Sequence, residues 1–202
     1  MLLVNNIQFN RNEKIIFNNI SLSVAPNKIV YLTGKNGSGK TTLLKTITNI
    51  LEPSDGEIFW MGKHLKKNIL SFYKNSTLIF DKPSSALKMT VLENINFWKR
   101  IASSNISYEG IIKLLKILEI DEYINTKVSY LSFGEIKKLE LTRLIIEQKK
   151  LWILDEPYSG LDSKSITIIN DTFIDHISNQ GMIIFTSHQD PDLRNLEKIS
   201  ID

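Results

Sequence analysis

Ile29-Val30-Tyr31-Leu32-Thr33 runs directly into Gly34-Lys35-Asn36-Gly37-Ser38-Gly39-Lys40-Thr41-Thr42, and the rest of the chain arranges itself around that junction. The apolar run, β-branched and aromatic, predicts a buried strand. The spacing of Leu43, Leu44, Ile47 and Ile50 behind the loop predicts a helix. Strand, G-x-x-x-x-G-K-T and helix form the context that a phosphate-binding loop requires. A glycine-rich turn with a chance lysine is the bland alternative, and it explains neither flank. Each residue type has a reason. Glycines let backbone N–H groups curl around a phosphate chain, and Gly39 leaves room at the helix start. The helix N-terminus adds partial positive charge for the β- and γ-phosphates. Lys40 supplies a point charge to them, and the Thr41 hydroxyl is placed to ligate Mg²⁺. The segment from Gly34 to Thr42 therefore predicts a chain that binds a nucleoside triphosphate, with Lys35, Asn36, Gly37, Ser38 and Thr42 completing the cradle.

Composition bounds what surrounds the loop. The 202 residues are 42% hydrophobic and 23% charged, as in one soluble globular unit with a real core. A net charge of +3 is too small to carry nucleic-acid binding by itself, although a basic face toward anionic lipid is compatible with it. There is no cysteine, hence no disulfide framework, and a reducing compartment fits. No apolar run approaches the roughly 20 residues needed to span a bilayer. Met1-Leu2-Leu3-Val4-Asn5-Asn6 lacks the basic region and long apolar core of a signal peptide, so the protein is expected to stay where it is made.

Ahead of the loop, Leu3 to Phe9, Lys14 to Phe17 and Ile20 to Val24 alternate and are punctuated by polar turns, which predicts antiparallel strands. Pro53-Ser54-Asp55-Gly56 reads as a turn into a further strand, Glu57 to Gly62. From Lys82 to about Ile146 the period becomes helical. Thr90 caps one helix, with Glu93 placed for a capping box, through Phe97 and Trp98. Ile111 to Leu118 marks a second helix and Leu139 to Ile145 a third, and these apolar positions read as core. Leu151-Trp152-Ile153-Leu154 is a buried strand ending in Asp155-Glu156, and Ile166 to Ile177 a helix. Gly181 to Thr186 is a last buried strand with His188 beyond its end. Alternating buried strands and helices predict an α/β fold with a mostly parallel core sheet, an N-terminal antiparallel β region and a helical subdomain over about 82–146, all in one domain over 1–202. Ligands sit at the carboxyl ends of such strands, where the loop, Asp155-Glu156 and His188 all fall.

An apolar strand ending in Asp-Glu is commonplace alone; beside a phosphate loop it completes an ATPase site. Asp155 would hold Mg²⁺ through water, complementing Thr41, and Glu156 would act as general base on the attacking water. An isolated His188 is usually a satisfied histidine; at a strand end on the ligand side it is placed to contact the γ-phosphate and orient that water. Ser159-Gly160-Leu161-Asp162 reads on its own as a turn with a helix cap.

Gly34 to Thr41, Leu131-Ser132-Phe133-Gly134-Glu135, Ile153-Leu154-Asp155-Glu156-Pro157, Ser159-Gly160-Leu161-Asp162 and Thr186-Ser187-His188 stand in the order found in ATP-binding-cassette (ABC) ATPases, P-loop NTPases that this chain resembles over essentially its whole length. The resemblance implies an ATP hydrolase working as an ATP-dependent head-to-tail homodimer with ATP and Mg²⁺ as cofactors. Leu131, Ser132 and Gly134 of one subunit would close over the γ-phosphate in the other, and Asp162 would join that interface. A Ser hydroxyl, a glycine N–H and a helix N-terminus do suit an anion. Where many cassettes stack an aromatic on adenine, this chain has Arg11, whose guanidinium plane can stack instead.

Three segments, Gly56 to Trp60, Met89 to Trp98 and Trp152 to Pro157, look like the haem-exporter ATP-binding subunits of cytochrome c biogenesis. That resemblance implies integral membrane permease subunits as partners, a peripheral place on the cytoplasmic face of a bacterial inner membrane, and haem export or haem-chaperone release. No direct cargo contact and no nucleic acid would be involved. The alternatives are an ABC exporter subunit with another cargo, or a soluble cassette acting on nucleic acid or ribosomes. Such soluble cassettes usually carry tandem copies or long coiled-coil insertions, which are not seen here. A phosphate-loop kinase would need an acceptor site and no Leu131-Ser132-Phe133-Gly134 segment. Two departures stand out. Phe133 and Glu135 replace the usual third and fifth signature residues, and Glu135 brings negative charge toward the partner's phosphates. The loop that usually offers a glutamine or histidine to the metal reads Phe80-Asp81-Lys82-Pro83, with Asp81 the counterpart and candidate metal contact. Asp81 to Leu87 is expected to form the flexible edge of the docking surface for the membrane subunits.

Overall fold

A computed structural model of the chain describes residues 1–194 and 196–201. The strands are β1 (Leu2–Arg11), β2 (Lys14–Val24), β3 (Lys28–Thr33), β4 (Asp55–Trp60), β5 (Lys63–His64), β6 (Ser76–Ile79), β7 (Leu151–Leu154), β8 (Met182–Thr186) and β9 (Leu196–Ser200). The α-helices are α1 (Lys40–Ile47), α2 (Ile69–Lys74), α3 (Val91–Ala102), α4 (Tyr108–Ile117), α5 (Phe133–Glu147) and α6 (Ser163–Ser178). Two sheets result. An antiparallel one runs in the order β2-β1-β4-β5, and a parallel one in the order β6-β7-β8-β3-β9.

Side-chain alternation along three central strands divides the interior. Ile29 and Tyr31 of β3, Trp152 and Leu154 of β7, and Ile183 and Phe185 of β8 join the core shared with α3, α4, α5 and α6. Val30 and Leu32, Leu151 and Ile153, and Met182 and Ile184 join the core shared with α1 and the antiparallel sheet. With both faces covered, each of these strands reads as a continuous apolar run.

Several boundaries moved. Lys14 to Phe17 and Ile20 to Val24 are one strand, not two. The pairing of β1 with β2 shifts register between Ile7 and Phe9, and Asn19 takes φ 55°, so the asparagines form an irregularity rather than a break. Helix α1 stops at Ile47, where Thr48 Oγ1 donates to Leu44 O at 3.0 Å, and Ile50 lies beyond it, about half exposed. The third helix of the helical region begins at Phe133, inside the Leu131-to-Glu135 motif, with Ser132 as its N-cap. The strands β6 and β9 had no apolar signature of their own. Ser76 and Thr77 are buried in β6, Ser76 Oγ donating to Phe72 O and Thr77 Oγ1 to Glu147 Oε2, each at 2.8 Å.

The helical region is fastened to the sheet by charge. Glu140 on α5 accepts from Ser84 N (2.8 Å) and Ser85 N (2.6 Å) on one oxygen, and from Ser84 Oγ (2.9 Å) and Arg143 (3.3 Å) on the other. Arg143 also donates to Glu147 (2.6 Å) and to Leu78 O of β6 (3.1 Å), and its guanidinium sits 5.4 Å from the centroid of Trp98 on α3. The segment after Asp81 is thus pinned to α5 at Ser84 and Ser85 and is not the loose edge expected of it. Its backbone does stay out of a helix, as Pro83 requires.

Candidate functional site

The carboxyl ends of β3, β7 and β8 bring the expected residues to one cleft of about 530 Å³. Asn36, Gly37, Gly39, Lys40, Thr41 and Thr42 form its floor, Asp155, Glu156, Ser159 and His188 one wall, and Arg11 with Ile16 another; Asp81 closes a corner. Gly39 is the N-cap of α1 with φ 99°, and an added Cβ would come 2.8 Å from the Ile16 side chain, so only glycine fits. No side chain caps α1 among the described residues, which leaves its first-turn N–H groups facing the cleft.

Around that helix start the polar groups converge. Lys40 Nζ, nearly buried, donates to Gly34 O at 2.8 Å and Lys35 O at 3.0 Å. Thr41 Oγ1 donates to Asp155, 2.8 Å from Oδ2 and 3.1 Å from Oδ1. Asp155 is only 1% exposed and takes a second bond, from Thr186 Oγ1 at 2.7 Å. The same Thr186 oxygen accepts from Glu156 N at 3.0 Å, so one hydroxyl sets both carboxylate residues. Glu156 has φ 49°, a left-handed turn that aims its side chain at His188; its Oε2 accepts from His188 N at 3.0 Å, and its Oε1 lies 3.5 Å from His188 Nε2. Nothing in the sequence says that the Thr186 hydroxyl lies between the two residues that follow β7, so its role shows only in the fold.

Oxygen donors fit a hard cation. Thr41 and Asp155 already meet, Asp81 faces the same cleft, and no cluster of three or more acidic, histidine or cysteine side chains among the described residues would enclose a metal alone. That set suits Mg²⁺, which keeps waters and is usually held by one or two carboxylates together with substrate phosphates.

Other expected residues do not line this cleft. Leu131, Ser132 and Gly134 lie at the start of α5. There Ser132 Oγ accepts from Glu135 N at 3.4 Å, and Glu135 returns its carboxylate to Ser132 N at 2.7 Å. That backbone bond holds the Glu135 carboxyl below its ordinary pKa, and the Tyr123 hydroxyl donates to it as well. Glu135 therefore turns onto its own helix N-terminus. Gly134 packs on the segment after Glu156 so closely that an added Cβ would meet Gly160 O at 2.6 Å. Asp162 caps α6 through Ser165 N (2.8 Å) and pairs with Lys138 (2.9 Å), and these contacts hold its carboxyl far below the usual range. Lys35 contributes its carbonyl to Lys40, and the Ser38 hydroxyl is buried with no hydrogen-bond partner among the described residues.

Comparison with known proteins gives this geometry its place. The family model described as ABC transporter matches residues 17–159, well over half of the chain. The chain belongs to the ABC transporter family. It is an ATP-hydrolysing subunit of the ABC class. The cytochrome c biogenesis ATP-binding export protein CcmA of Vibrio vulnificus is 32% identical over 203 aligned residues, covering 100% of this chain and 99% of its own. Its counterpart in Reclinomonas americana is 37% identical, covering 96% of this chain and 87% of its own. Among solved structures, a putative ABC transporter ATP-binding protein from Pyrococcus furiosus superposes with a TM-score of 0.84 at 21% identity, covering 99% of this chain and 96% of that one. A dimeric ATP-binding cassette bound to ADP and Pi gives a TM-score of 0.77 at 20% identity, covering 94% and 88%. Both show the fold of an ABC ATPase.

In this ABC ATPase the cleft is not the largest hollow. One of about 640 Å³ lies at the opposite end of the sheet, beside Lys150 and Met182. It holds the His176 ring stacked on Trp152, with centroids 3.5 Å apart, and burial lowers the His176 pKa to about 4. It lacks the glycine cradle, and the chemistry stays with the loop.

Arg11 reaches the cleft with its guanidinium 6.0 Å from the Phe9 ring centroid, beside Ile16. Replacing Arg11 by Ala is expected to weaken ATP binding by about 0.5–2 kcal/mol, the range of a partly desolvated cation–π contact. Calorimetry with a non-hydrolysable analogue measures it; unchanged affinity would assign the adenine contact to Ile16, Phe17 or solvent.

Proposed function

We propose that this ABC ATPase couples ATP binding and hydrolysis to haem export, or to haem release onto a chaperone, in cytochrome c biogenesis. The observation that carries the reading is the end-to-end match to an export protein of that process at 32% identity. Lys40 and the open N-terminus of α1 bind the β- and γ-phosphates, and Arg11 with Ile16 flanks the base. Glu156 takes the proton of the attacking water, and His188, in contact with Glu156, holds that water toward the γ-phosphate. Thr41 and Asp155 would hold Mg²⁺, with Asp81 at the same corner; when bound it screens phosphate charge as the bond to the leaving group breaks.

A second copy of the chain completes the site. Leu131, Ser132 and Gly134, which do not line the cleft of their own chain, close over the partner's γ-phosphate, and Asp162 joins that interface. The dimeric relative supports this assembly. No helix among the described residues is long and apolar enough to cross a membrane. Action at the cytoplasmic face of an inner membrane therefore goes through integral permease subunits, for which the helical region offers Phe97, Ile101 and Tyr108, all more than half exposed. Deleting the gene and assaying covalent haem in c-type cytochromes tests the cargo. Loss of covalent haem, restored by the wild-type gene and not by Lys40→Ala, is the expected result. Normal maturation would remove the haem assignment and leave an ABC ATPase with another cargo.

A further inference from the structure

Lys137, on α5, is a buried charge, 3% exposed, whose ammonium has no hydrogen-bond acceptor among the described residues. It lines a tight crevice with Phe80, Asp81, Pro83, Phe133 and Glu140, in which no water fits. Four carboxylates act on it: Asp81 most strongly, then Asp155, Glu140 and Glu156. Burial nonetheless leaves its pKa lowered. Glu140 cannot serve as acceptor, because Ser84, Ser85 and Arg143 already take both of its oxygens. A carboxylate offers about four acceptor positions, and here all are used. Asp155 is engaged by Thr41 and Thr186, and Glu156 by His188, though neither has all of its acceptor positions filled. Asp81 makes no hydrogen bond or ion pair among the described residues. It also lines both the Lys137 crevice and the nucleotide cleft.

We propose that Lys137 is a positioning residue, the buried counter-charge that captures Asp81 and holds its carboxylate at the metal corner of the nucleotide cleft. A buried ammonium without an acceptor is costly, and of the four carboxylates Asp81 is the one with no hydrogen bond or ion pair of its own among the described residues. The pair would also join α5, which Ser132 caps, to the corner where Thr41 and Asp155 meet. The position of the helix that serves the partner subunit is thereby felt at the metal site of its own. The inference rests on the reading of this cleft as a Mg-ATP site.

The test compares Lys137→Met, Lys137→Gln, Asp81→Asn and the Lys137→Met/Asp81→Asn pair, all in a Glu156→Gln background. Mg-ATP binding is measured by calorimetry, and melting of the nucleotide-free protein is measured alongside. Each single variant is expected to bind Mg-ATP about tenfold more weakly, with the pair no weaker than the worse single. Binding of ATP in EDTA should not change. Lys137→Met should melt no lower than Asp81→Asn, because Met removes the buried ammonium whereas Asn leaves it stranded. Parent-like Mg-ATP affinity in both Lys137 variants would overturn the proposal and leave a packing lysine. Losses that add in the pair would overturn it too, since the two residues would then act separately. Equal Mg-ATP affinity in Lys40→Ala would instead overturn the nucleotide reading, and the inference with it.

Discussion

Glu156→Gln is expected to reduce ATP turnover at least about a hundredfold while nucleotide affinity stays near that of the parent. The amide keeps the shape of the side chain, so the left-handed turn and the bond from His188 N at 3.0 Å survive. What disappears is the capacity to accept a proton. Asp155 does not substitute for it, being 1% exposed and held by Thr41 and Thr186. Steady-state phosphate release and analogue calorimetry check the two halves. A variant with near-normal turnover would remove Glu156 from the role of base. The same variant should accumulate as a dimer with ATP and Mg²⁺ in sedimentation, because the phosphates that complete the interface are no longer cleaved. The same species with and without ATP would count against the assembly.

Glu140→Leu is expected to destabilise the protein by about 3–5 kcal/mol, the cost of removing one partner from a buried charged network. Ser84 N and Ser85 N lose their acceptor, and Arg143, 13% exposed in its side chain, keeps only Glu147, Leu78 O and Ser84 Oγ. For a chain of this length that corresponds to a fall in Tm of roughly 6–20 °C. Urea unfolding should show a lower midpoint at an unchanged slope. Adding Arg143→Leu should cost less than the sum of the two single changes, since each leaves the other's group stranded. A loss below about 1 kcal/mol would mean that solvent replaces the carboxylate.

Those two positions also differ in how they could be found. Glu156 stands at the end of an apolar run beside a phosphate loop, so local order alone indicated its chemistry. Glu140 sits in mid-helix with the look of a solvated charge, and nothing near it in the chain names Ser84, Ser85 or Arg143 as partners. The segment at Pro83 read as a mobile edge for the same reason. Its anchors lie 55 and 56 positions away on α5.

The sequence by itself determined the strand–loop–helix around Lys40, the parallel core, the carboxylate pair after β7 and the helical character of the middle region. Each of these is written in a local pattern: a period of two or 3.6, a glycine where only glycine fits, a Thr90–Glu93 capping box that the structure reproduces. Tertiary structure alone decided the rest. The edge strands β6 and β9 exist because neighbouring strands offer unpaired backbone, not because their own residues are apolar. Thr186 acquired its place between Asp155 and Glu156 from the register of β8 on β7, which pairs Leu154 with Phe185 and brings the next residues of the two strands together. Glu135 was read as a charge offered to a partner and lies instead on its own helix N-terminus, since the nearest unsatisfied N–H was the one at Ser132. Lys137 gave no sign of burial in the sequence; its isolation beside Asp81 is a consequence of packing α5 against the end of β6, a contact between residues far apart in the chain.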